Sequence, residues 1–101
     1  MLITRWQAPI VPEKSQVWMM FEAEGLTPFE EIFPPQSFIN DHRHPFEEVR
    51  MVVKGELILD IAGNKLLLRA GDRIIIPANT RHSKKVETSE PCICIVANKT
   101  F

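Results

Sequence analysis

Short runs of apolar residues, divided by closely spaced turn residues, constrain the fold of this chain more than any other feature. In the run 56–61, Leu57 and Leu59 alternate with other residues and share one side, as in a half-buried β-strand. Gly63-Asn64 separates this run from the run 65–69, and such a dipeptide between two apolar runs predicts a β-hairpin. No segment keeps the 3.6-residue period of an amphipathic helix, so the sequence predicts an all-β fold with little helix.

The predicted strands cover most of the chain. A protein of 101 residues has room for a modest core in one domain, so we expect a single sandwich or barrel over residues 1–101. Proline and glycine are frequent between the strands, as is typical of such folds. The predicted strands are residues 1–6, 16–21, 29–33, 37–44, 48–54, 56–61, 65–69, 73–77, 80–86 and 92–98.

The composition is that of an ordinary globular protein and excludes several classes of partner. Hydrophobic residues make up 45% of the chain and charged residues 25%, and the formal net charge is -1. This balance gives no general attraction to nucleic acid or to an anionic membrane, so we expect neither as a partner. No apolar run approaches the roughly 18 residues of a spanning helix, and the N-terminal residues lack the features of a secretion signal. We therefore expect a cytoplasmic protein.

Both cysteines lie in the apolar run 92–96. On a strand, Cys92 and Cys94 point the same way but lie too far apart for easy bridging. We therefore predict buried free thiols, since free cysteine is commonly buried, with a soft-metal or redox role as the alternative.

The three histidines of the chain fall into two segments. His42 and His44 are two residues apart, so on a strand both imidazoles project from one face and reach one point above it. Glu48 is close enough to add a carboxylate oxygen, and His82 must come from another strand. Three imidazoles and one carboxylate suit one divalent transition-metal ion, namely iron, manganese, nickel, copper or zinc. In an octahedral ion this set leaves neighbouring positions open for water, substrate or dioxygen, which is typical of a catalytic site.

The two histidine segments resemble the two motifs of the cupin superfamily. Residues 42–55 read H-x-H-x-x-x-E-x-x-x-x-x-x-G and are similar to the first motif. Residues 71–82 read G-x-x-x-x-x-P-x-N-x-x-H and resemble the second. The resemblance implies a single jelly-roll-like barrel of two facing sheets, with a metal ion near one mouth. The ligands that it implies are His42, His44, Glu48 and His82.

The chain departs from the cupin pattern at positions that are not ligands. The pattern has glycine at positions 36, 71 and 79 and asparagine at position 86, where this chain has Gln36, Gly71, Asn79 and Val86. Asparagine tolerates the left-handed turn that glycine usually fills, so the change at position 79 is mild. The changes at positions 36 and 86 weaken turn predictions but touch no ligand.

Two acidic neighbours compete for the carboxylate position. Glu47 and Glu48 are adjacent, but both the spacing to Gly55 and the phase of the strand favour Glu48. We therefore predict that Glu48, rather than Glu47, contributes to the site.

Arg50 is predicted to face the interior of the barrel beside the ligands. If Glu48 points inward, alternation turns Arg50 inward as well, while Val49 and Met51 point outward. An arginine on an inner face is costly unless something pairs with it. It either meets an anionic part of a bound ligand with its forked guanidinium, pairs internally with Glu31 or another acid, or is solvated at the mouth.

Lys84 shares the inner face with His82 by the same alternation. Arg50 and Lys84 are therefore the predicted substrate-binding residues. No catalytic acid or base is assigned, because the chain has no tyrosine and the sequence does not locate Glu31 or Glu47 relative to a substrate.

Apolar residues near the N-terminus exceed what one face of a strand can bury. In the predicted strand 16–21, the apolar residues Trp18 to Phe21 would divide between two faces, and we expect the outer half to cover a partner subunit. The segment 2–6 could likewise pair with the sheet edge of a neighbouring chain. Small proteins that resemble this one are often dimers, so we expect a homodimer.

Together the site and the resemblance predict a mononuclear metal-dependent enzyme, dioxygenase-like or a related lyase or isomerase. Its substrate would be a small molecule with an anionic or oxygen-bearing group. Open positions on the ion would allow dioxygen activation with iron, or polarisation of a carbonyl with another metal. The alternative is a non-catalytic module that binds a small ligand, and the fold alone does not choose between them.

Overall fold

Two antiparallel β-sheets face each other in the structure, a computed structural model that describes residues 2–99. One sheet has five strands in the order β1-β7-β4-β9-β2, and the other has four in the order β3-β8-β5-β6. The all-β prediction is confirmed, while the part of it that falls on Met1 lies outside the described residues. The elements are β1 (Leu2–Thr4), α1 (Lys14–Ala23), β2 (Phe29–Phe33), β3 (Phe38–His42), β4 (Glu47–Lys54), β5 (Glu56–Ile61), β6 (Asn64–Arg69), β7 (Arg73–Ile76), β8 (His82–Lys85) and β9 (Cys92–Lys99).

Apolar side chains from alternating strand positions fill the space between the sheets. Leu57 and Leu59 are fully buried, whereas Ile58 between them is only partly buried, which confirms the predicted alternation. Each such aliphatic side chain stabilises the fold by roughly 1.5–3 kcal/mol when it leaves water. Other members of this core include Phe33, Val52, Ile61, Leu68, Ile74, Ile76, Val86 and Val96.

The hairpin between β5 and β6 turns one residue earlier than the predicted Gly63-Asn64. Asn64 already belongs to β6, so the turn consists of Ala62 and Gly63. Both have positive φ, 51° and 85°, as a type I′ turn requires. This register sets Leu57 opposite Leu68, and both side chains are then buried between the sheets.

The prediction of a strand at residues 16–21 is wrong, because these residues lie in the helix α1. Val17 and Phe21 are one helical turn apart, and both are fully buried against the outer face of the five-stranded sheet. This i, i+4 pair is the narrow apolar stripe of a helix that docks on a sheet. The neighbouring Trp18, Met19 and Met20 are also apolar, so the helical period of Val17 and Phe21 cannot be recognised in the sequence.

The ends of the helix α1 are easier to recognise in the sequence than its apolar pattern, because polar residues begin it and a glycine follows it. The side-chain oxygen of Gln16 accepts a hydrogen bond from the Glu13 N–H at 2.8 Å. At the other end, Gly25 has a φ of 81°, and the Leu26 N–H donates to the Phe21 carbonyl at 3.0 Å. These contacts form a Schellman motif, which ends the helix.

The helix covers a surface that would otherwise need a partner. Val49 and Met51 face outward as predicted, but α1 packs over them and both are nearly fully buried. The strand β1 pairs along one edge with β7 of its own chain, with Leu2 opposite Ile75. Among residues 2–99, no helix is long and apolar enough to cross a membrane. The homodimer stays a prediction.

Two turns keep a left-handed backbone although the chain lacks glycine there. Gln36 has a φ of 53° and Asn79 a φ of 59°. The Asn79 N–H donates to the His44 carbonyl at 2.8 Å and so ties the loop before β8 to the loop before β4. Val86, the third departure, is buried in the core, and its N–H donates to the Ser37 carbonyl at 2.9 Å.

The two cysteines are free and fully buried, as predicted. Their sulfur atoms lie 3.8 Å apart on the inner face of β9. A disulfide requires about 2.05 Å between the sulfur atoms, so Cys92 and Cys94 are separate thiols.

Candidate metal centre

The three histidines meet at one end of the four-stranded sheet. His42 ends β3 and His82 begins β8, and the two are directly paired in the antiparallel register. His44 follows two residues later, in the loop before β4. One ligand atom from each of the three lies within 4.8 Å of the others, and the ring centroids are 4.4–5.6 Å apart.

Backbone carbonyls fix which nitrogen of each imidazole is available. The Nδ1 atoms of His42 and His82 lie 2.9 Å from the carbonyl oxygens of Asn40 and Thr80, each two residues earlier. A carbonyl oxygen only accepts, so Nδ1 carries a proton in both rings, and in the neutral form of each ring the lone pair is on Nε2. This is the tautomer that metal-binding histidines adopt when a backbone group orients them.

His44 is oriented by the residues that follow it. Its Nδ1 lies 3.2 Å from the Phe46 carbonyl oxygen, and the Phe46 ring stacks on the imidazole at a centroid distance of 4.2 Å. Neither the carbonyl contact nor the stacking was predicted from the sequence, although Phe46 follows His44 by only two residues.

The Nε2 atom of His82 is the clearest test of whether a metal fits. His82 is fully buried, and this atom has no hydrogen-bond partner among the described residues. Burial lowers the pKa of His82, with Lys84 adding to the effect, and the contact with Thr80 only partly opposes it. A neutral buried imidazole with an unpaired acceptor costs about 1–3 kcal/mol unless a ligand satisfies it. The donor set therefore fits a borderline divalent cation.

Glu48 lies at the edge of the histidine cluster. It is 3% exposed, and its Oε1 atom is 3.2 Å from His44 Nε2. Burial opposes its ionisation, but the neighbouring Arg50 and Lys84 outweigh burial and lower the pKa of Glu48 to about 2. Glu48 is thus an ionised carboxylate beside the imidazoles. Glu47 precedes it on β4 and is less buried.

Arg50 forms an internal ion-pair network, which was one of the alternatives that the sequence left open. Its Nε donates to Glu48 Oε2 at 2.9 Å and its Nη2 donates to Glu31 Oε1 at 2.6 Å. The guanidinium also lies 5.4 Å from the centre of the Phe33 ring. Its third nitrogen, Nη1, is buried and has no hydrogen-bond partner among the described residues.

Lys84 reaches the same cluster from the opposite sheet. It is 5% exposed, and its Nζ lies 3.3 Å from Glu48 Oε1. Burial and the charge of Arg50 lower the pKa of Lys84, while Glu48 and Glu31 oppose that change. The predicted inward orientation of Lys84 therefore agrees with its position in the structure.

A small cavity lies over these residues. Its volume is about 170 Å³, and its apolar lining comes from Phe29, Phe46 and Val96. The polar lining includes His42, His44, Glu48, Arg50, Lys84, Glu31 and Asn98. A larger cavity of about 530 Å³ lies on the outer face of the four-stranded sheet, against Ser83 and Lys85, and none of the histidines lines it.

The structure is thus a small barrel of two antiparallel sheets in which three imidazoles cluster at one end with the Glu48 carboxylate beside them. Residues 29–98 match a family model described as "Cupin domain". The chain belongs to the cupin family.

Similar proteins share either a segment or the fold. An acireductone dioxygenase from Bacillus licheniformis is 40% identical over 52 residues, which cover 46% of this chain and 29% of the dioxygenase. A predicted oxalate decarboxylase from Thermotoga maritima has a TM-score of 0.68 at 19% identity, over 80% of this chain and 74% of that protein. The DMSP lyase DddQ from Ruegeria pomeroyi has a TM-score of 0.68 at 22% identity, over 74% of this chain and 38% of the lyase. The structural matches are at the level of the fold alone.

Proposed function

We propose that this cupin is a mononuclear metal-dependent enzyme, dioxygenase-like or a related lyase or isomerase, that acts on a small anionic molecule. The observation that supports it most is the buried Nε2 of His82, which has no hydrogen-bond partner within residues 2–99 and lies beside the imidazoles of His42 and His44. A set of three imidazole lone pairs and one carboxylate suits iron, manganese, nickel, copper or zinc.

The chain's own residues would hold and orient the ion. His42, His44 and His82 would bind through Nε2, and Glu48 would add Oε1. When bound, such an ion supplies Lewis acidity or a position for dioxygen. The carbonyl contacts at Nδ1 keep the imidazoles aimed at one point, and Phe46 covers one face of the His44 ring.

The cavity supports a small anionic ligand. Its volume of about 170 Å³ admits only a small molecule, and two cationic side chains, Arg50 and Lys84, line it. Among residues 2–99, Arg50 Nη1 has no hydrogen-bond partner and Lys84 contacts a single acid, Glu48.

An enzyme is the better-supported class because the 40% identical segment belongs to a dioxygenase. That segment spans 29% of the dioxygenase, so the substrate and the reaction are part of the proposal. The names of two structural relatives, a lyase and a predicted decarboxylase, are compatible with small-molecule chemistry but come from proteins that share only the fold.

A non-catalytic binding module is the second candidate. Both acids that line the cavity, Glu31 and Glu48, are paired with Arg50, and the chain has no tyrosine. Among the described residues of the cavity, no unpaired carboxylate is therefore ready to act as a general base. This arrangement favours holding a ligand over moving a proton.

Metal analysis of protein purified without a histidine tag tests the site. We expect a transition metal to co-purify or to rebind after chelation, and we expect His82→Ala and Glu48→Gln to weaken that binding. Glu47→Gln is the matched control and should bind as the wild-type protein does. If no transition metal binds to the wild-type protein, or if His82→Ala leaves its affinity unchanged, the proposed metal site is wrong.

Oxygen uptake and product analysis with small carboxylates and acidic enediols separate the two candidate functions. Turnover that requires the metal and is lost in His82→Ala supports an enzyme. Tight metal-dependent binding of such a compound without turnover supports the binding module instead.

Assembly as a homodimer and action in the cytoplasm are further parts of the proposal. Exposed apolar side chains, including Leu2, Met19 and Ile32, support a self-association surface. Sedimentation of the purified protein tests the dimer, and a monomer over the micromolar range would contradict it.

A further inference from the structure

Both oxygens of the Glu48 carboxylate are already engaged by cationic side chains. Oε2 accepts from Arg50 Nε at 2.9 Å, and Oε1 accepts from Lys84 Nζ at 3.3 Å. Oε1 is also the oxygen that lies 3.2 Å from His44 Nε2. A cation held by the histidines would therefore take Oε1, which is the oxygen that Lys84 contacts.

The two cations differ in how firmly they are held. Arg50 pairs with two acids, Glu48 and Glu31. It therefore keeps an acidic partner even if one of these two contacts is broken. Lys84 forms its ion pair with Glu48, on an oxygen that it shares with His44. Lys84 is thus the side chain whose pairing depends on Oε1.

Charge balance also distinguishes the metal-free from the metal-bound site. The ionised side chains of the cavity are Glu31, Glu48, Arg50 and Lys84, whose charges sum to zero. A divalent ion would add two positive charges beside the buried Arg50 and Lys84, and uncompensated charge next to buried cations is unfavourable. An anion is the group that restores the balance.

We propose that Glu48 Oε1 exchanges the Lys84 ammonium for the metal, and that the released ammonium then binds an anionic group of the ligand beside the metal. The proposal rests on the proposed metal-dependent function and names Lys84, rather than Arg50, as the residue that selects an anion. It makes metal and anion binding cooperative, because each favours the arrangement in which Lys84 has left Glu48.

The cavity sets the size of the anion. A volume of about 170 Å³ corresponds to about six water volumes at roughly 30 Å³ each. A small carboxylate fits, and acetate with its neutral isostere acetamide makes a matched pair of probes that differ only in charge.

The first test needs no metal. In metal-free protein, Glu48→Gln removes the acid that holds Lys84, so this variant should bind acetate about tenfold more tightly than the wild-type protein in calorimetry, a coupling within the usual allosteric range. The control Glu47→Gln should bind acetate as weakly as the wild-type protein. Acetamide should bind none of them.

The double variant Glu48→Gln/Lys84→Met identifies the cation. It should lose the acetate affinity gained by Glu48→Gln, whereas Glu48→Gln/Lys85→Met should keep it, because Lys85 lies on the outer face of the same strand. Acetate binding that survives in the Lys84 double variant would assign the anion to Arg50 and overturn the proposal. Circular dichroism confirms that each variant is folded.

The second test uses manganese(II) and the wild-type protein, and so does not depend on a variant that folds. Acetate should bind the manganese-loaded protein about tenfold more tightly than the metal-free protein, and acetate should raise the manganese affinity by the same factor. Independent binding overturns the exchange. If manganese does not bind at all, and neither does any other transition metal, the proposed function fails, while the metal-free variants still decide the role of Lys84.

Discussion

Arg50 Nε donates a hydrogen bond to Glu48 Oε2 at 2.9 Å, and both side chains are almost fully buried inside the barrel. This bond fixes one carboxylate oxygen and leaves the other directed at His44, 3.2 Å away. Arg50 is itself anchored by Glu31 from β2. Its first role in the structure is therefore to position Glu48 beside the histidines.

Removal of the Arg50 charge should destabilise the metal-free protein. In Arg50→Met, Glu48 loses its closest cation while staying buried, and breaking one partner of a buried ion pair costs about 3–5 kcal/mol. Urea denaturation at neutral pH measures this loss. Arg69→Met is the matched control, since Arg69 is an exposed partner of Glu56 at 3.9 Å and its loss should cost less than about 0.5 kcal/mol. Equal effects of the two substitutions would contradict the positioning role.

Strand alternation made much of the fold predictable from sequence. The strand β5 buries one face, so the burial of Leu57 and Leu59 follows from the pattern alone, whereas the inward orientation of Glu48 was assumed together with the cupin motif. The helix was missed because its buried stripe is only Val17 and Phe21, and apolar neighbours conceal the period. Its docking surface is formed by strands far away in sequence, which local patterns do not report.

The histidine cluster was predictable in part, because the two-residue spacing of His42 and His44 indicated that both point to one side, although His44 lies in the loop after β3 rather than on the strand. The partners of the charged residues were not. Glu31 lies on β2, Arg50 on β4 and Lys84 on β8 of the other sheet, so their contacts depend on how the two sheets face each other. Alternation gives the direction of each side chain, but distances across the barrel require the assembled structure.

The docking of α1 should contribute substantially to stability. Phe21 is fully buried against Val49, Met51 and Ile95, so Phe21→Ala should lower the free energy of unfolding by about 3–5 kcal/mol. Met19 is 67% exposed on the same helix, and Met19→Ala is the control, expected to cost less than about 0.5 kcal/mol. Urea denaturation measures both. A small loss for Phe21→Ala would show that the helix is not part of the cooperative fold.

Asp72 should make stability depend on pH. Burial opposes its ionisation, but the N–H groups of Arg69 and Trp6 and the guanidinium of Arg5 outweigh burial and lower the pKa of Asp72. Because the folded-state pKa lies below the unfolded value, the stabilisation is complete above about pH 4 and is lost as the pH falls through the folded-state pKa.

Substitution of this carboxylate tests the pH dependence. Asp72→Asn should cost about 1–3 kcal/mol at neutral pH, since the amide cannot accept all three bonds, and the difference from the wild-type protein should shrink as the pH falls below about 4. Asp41→Asn, at an exposed position, is the control. A constant difference over the whole pH range would refute the assignment. Urea denaturation at a series of pH values gives the comparison.

Gly55, which ends the strand that presents Glu48 and Arg50, should not tolerate a side chain. Its φ is 81°, and a Cβ there would lie 2.5 Å from the Pro91 carbonyl oxygen, which is backbone and cannot move aside cheaply. The left-handed conformation costs an alanine about 1–2 kcal/mol and the collision about 1–3 kcal/mol more, so Gly55→Ala should lose roughly 3 kcal/mol. Gly63→Ala is the matched control: its φ is 85° but its surroundings are open, so it should lose only the conformational part, about 1 kcal/mol. Urea denaturation measures both variants, and the difference between their losses of stability gives the cost of the contact with Pro91. Equal losses would contradict the close contact between residue 55 and Pro91.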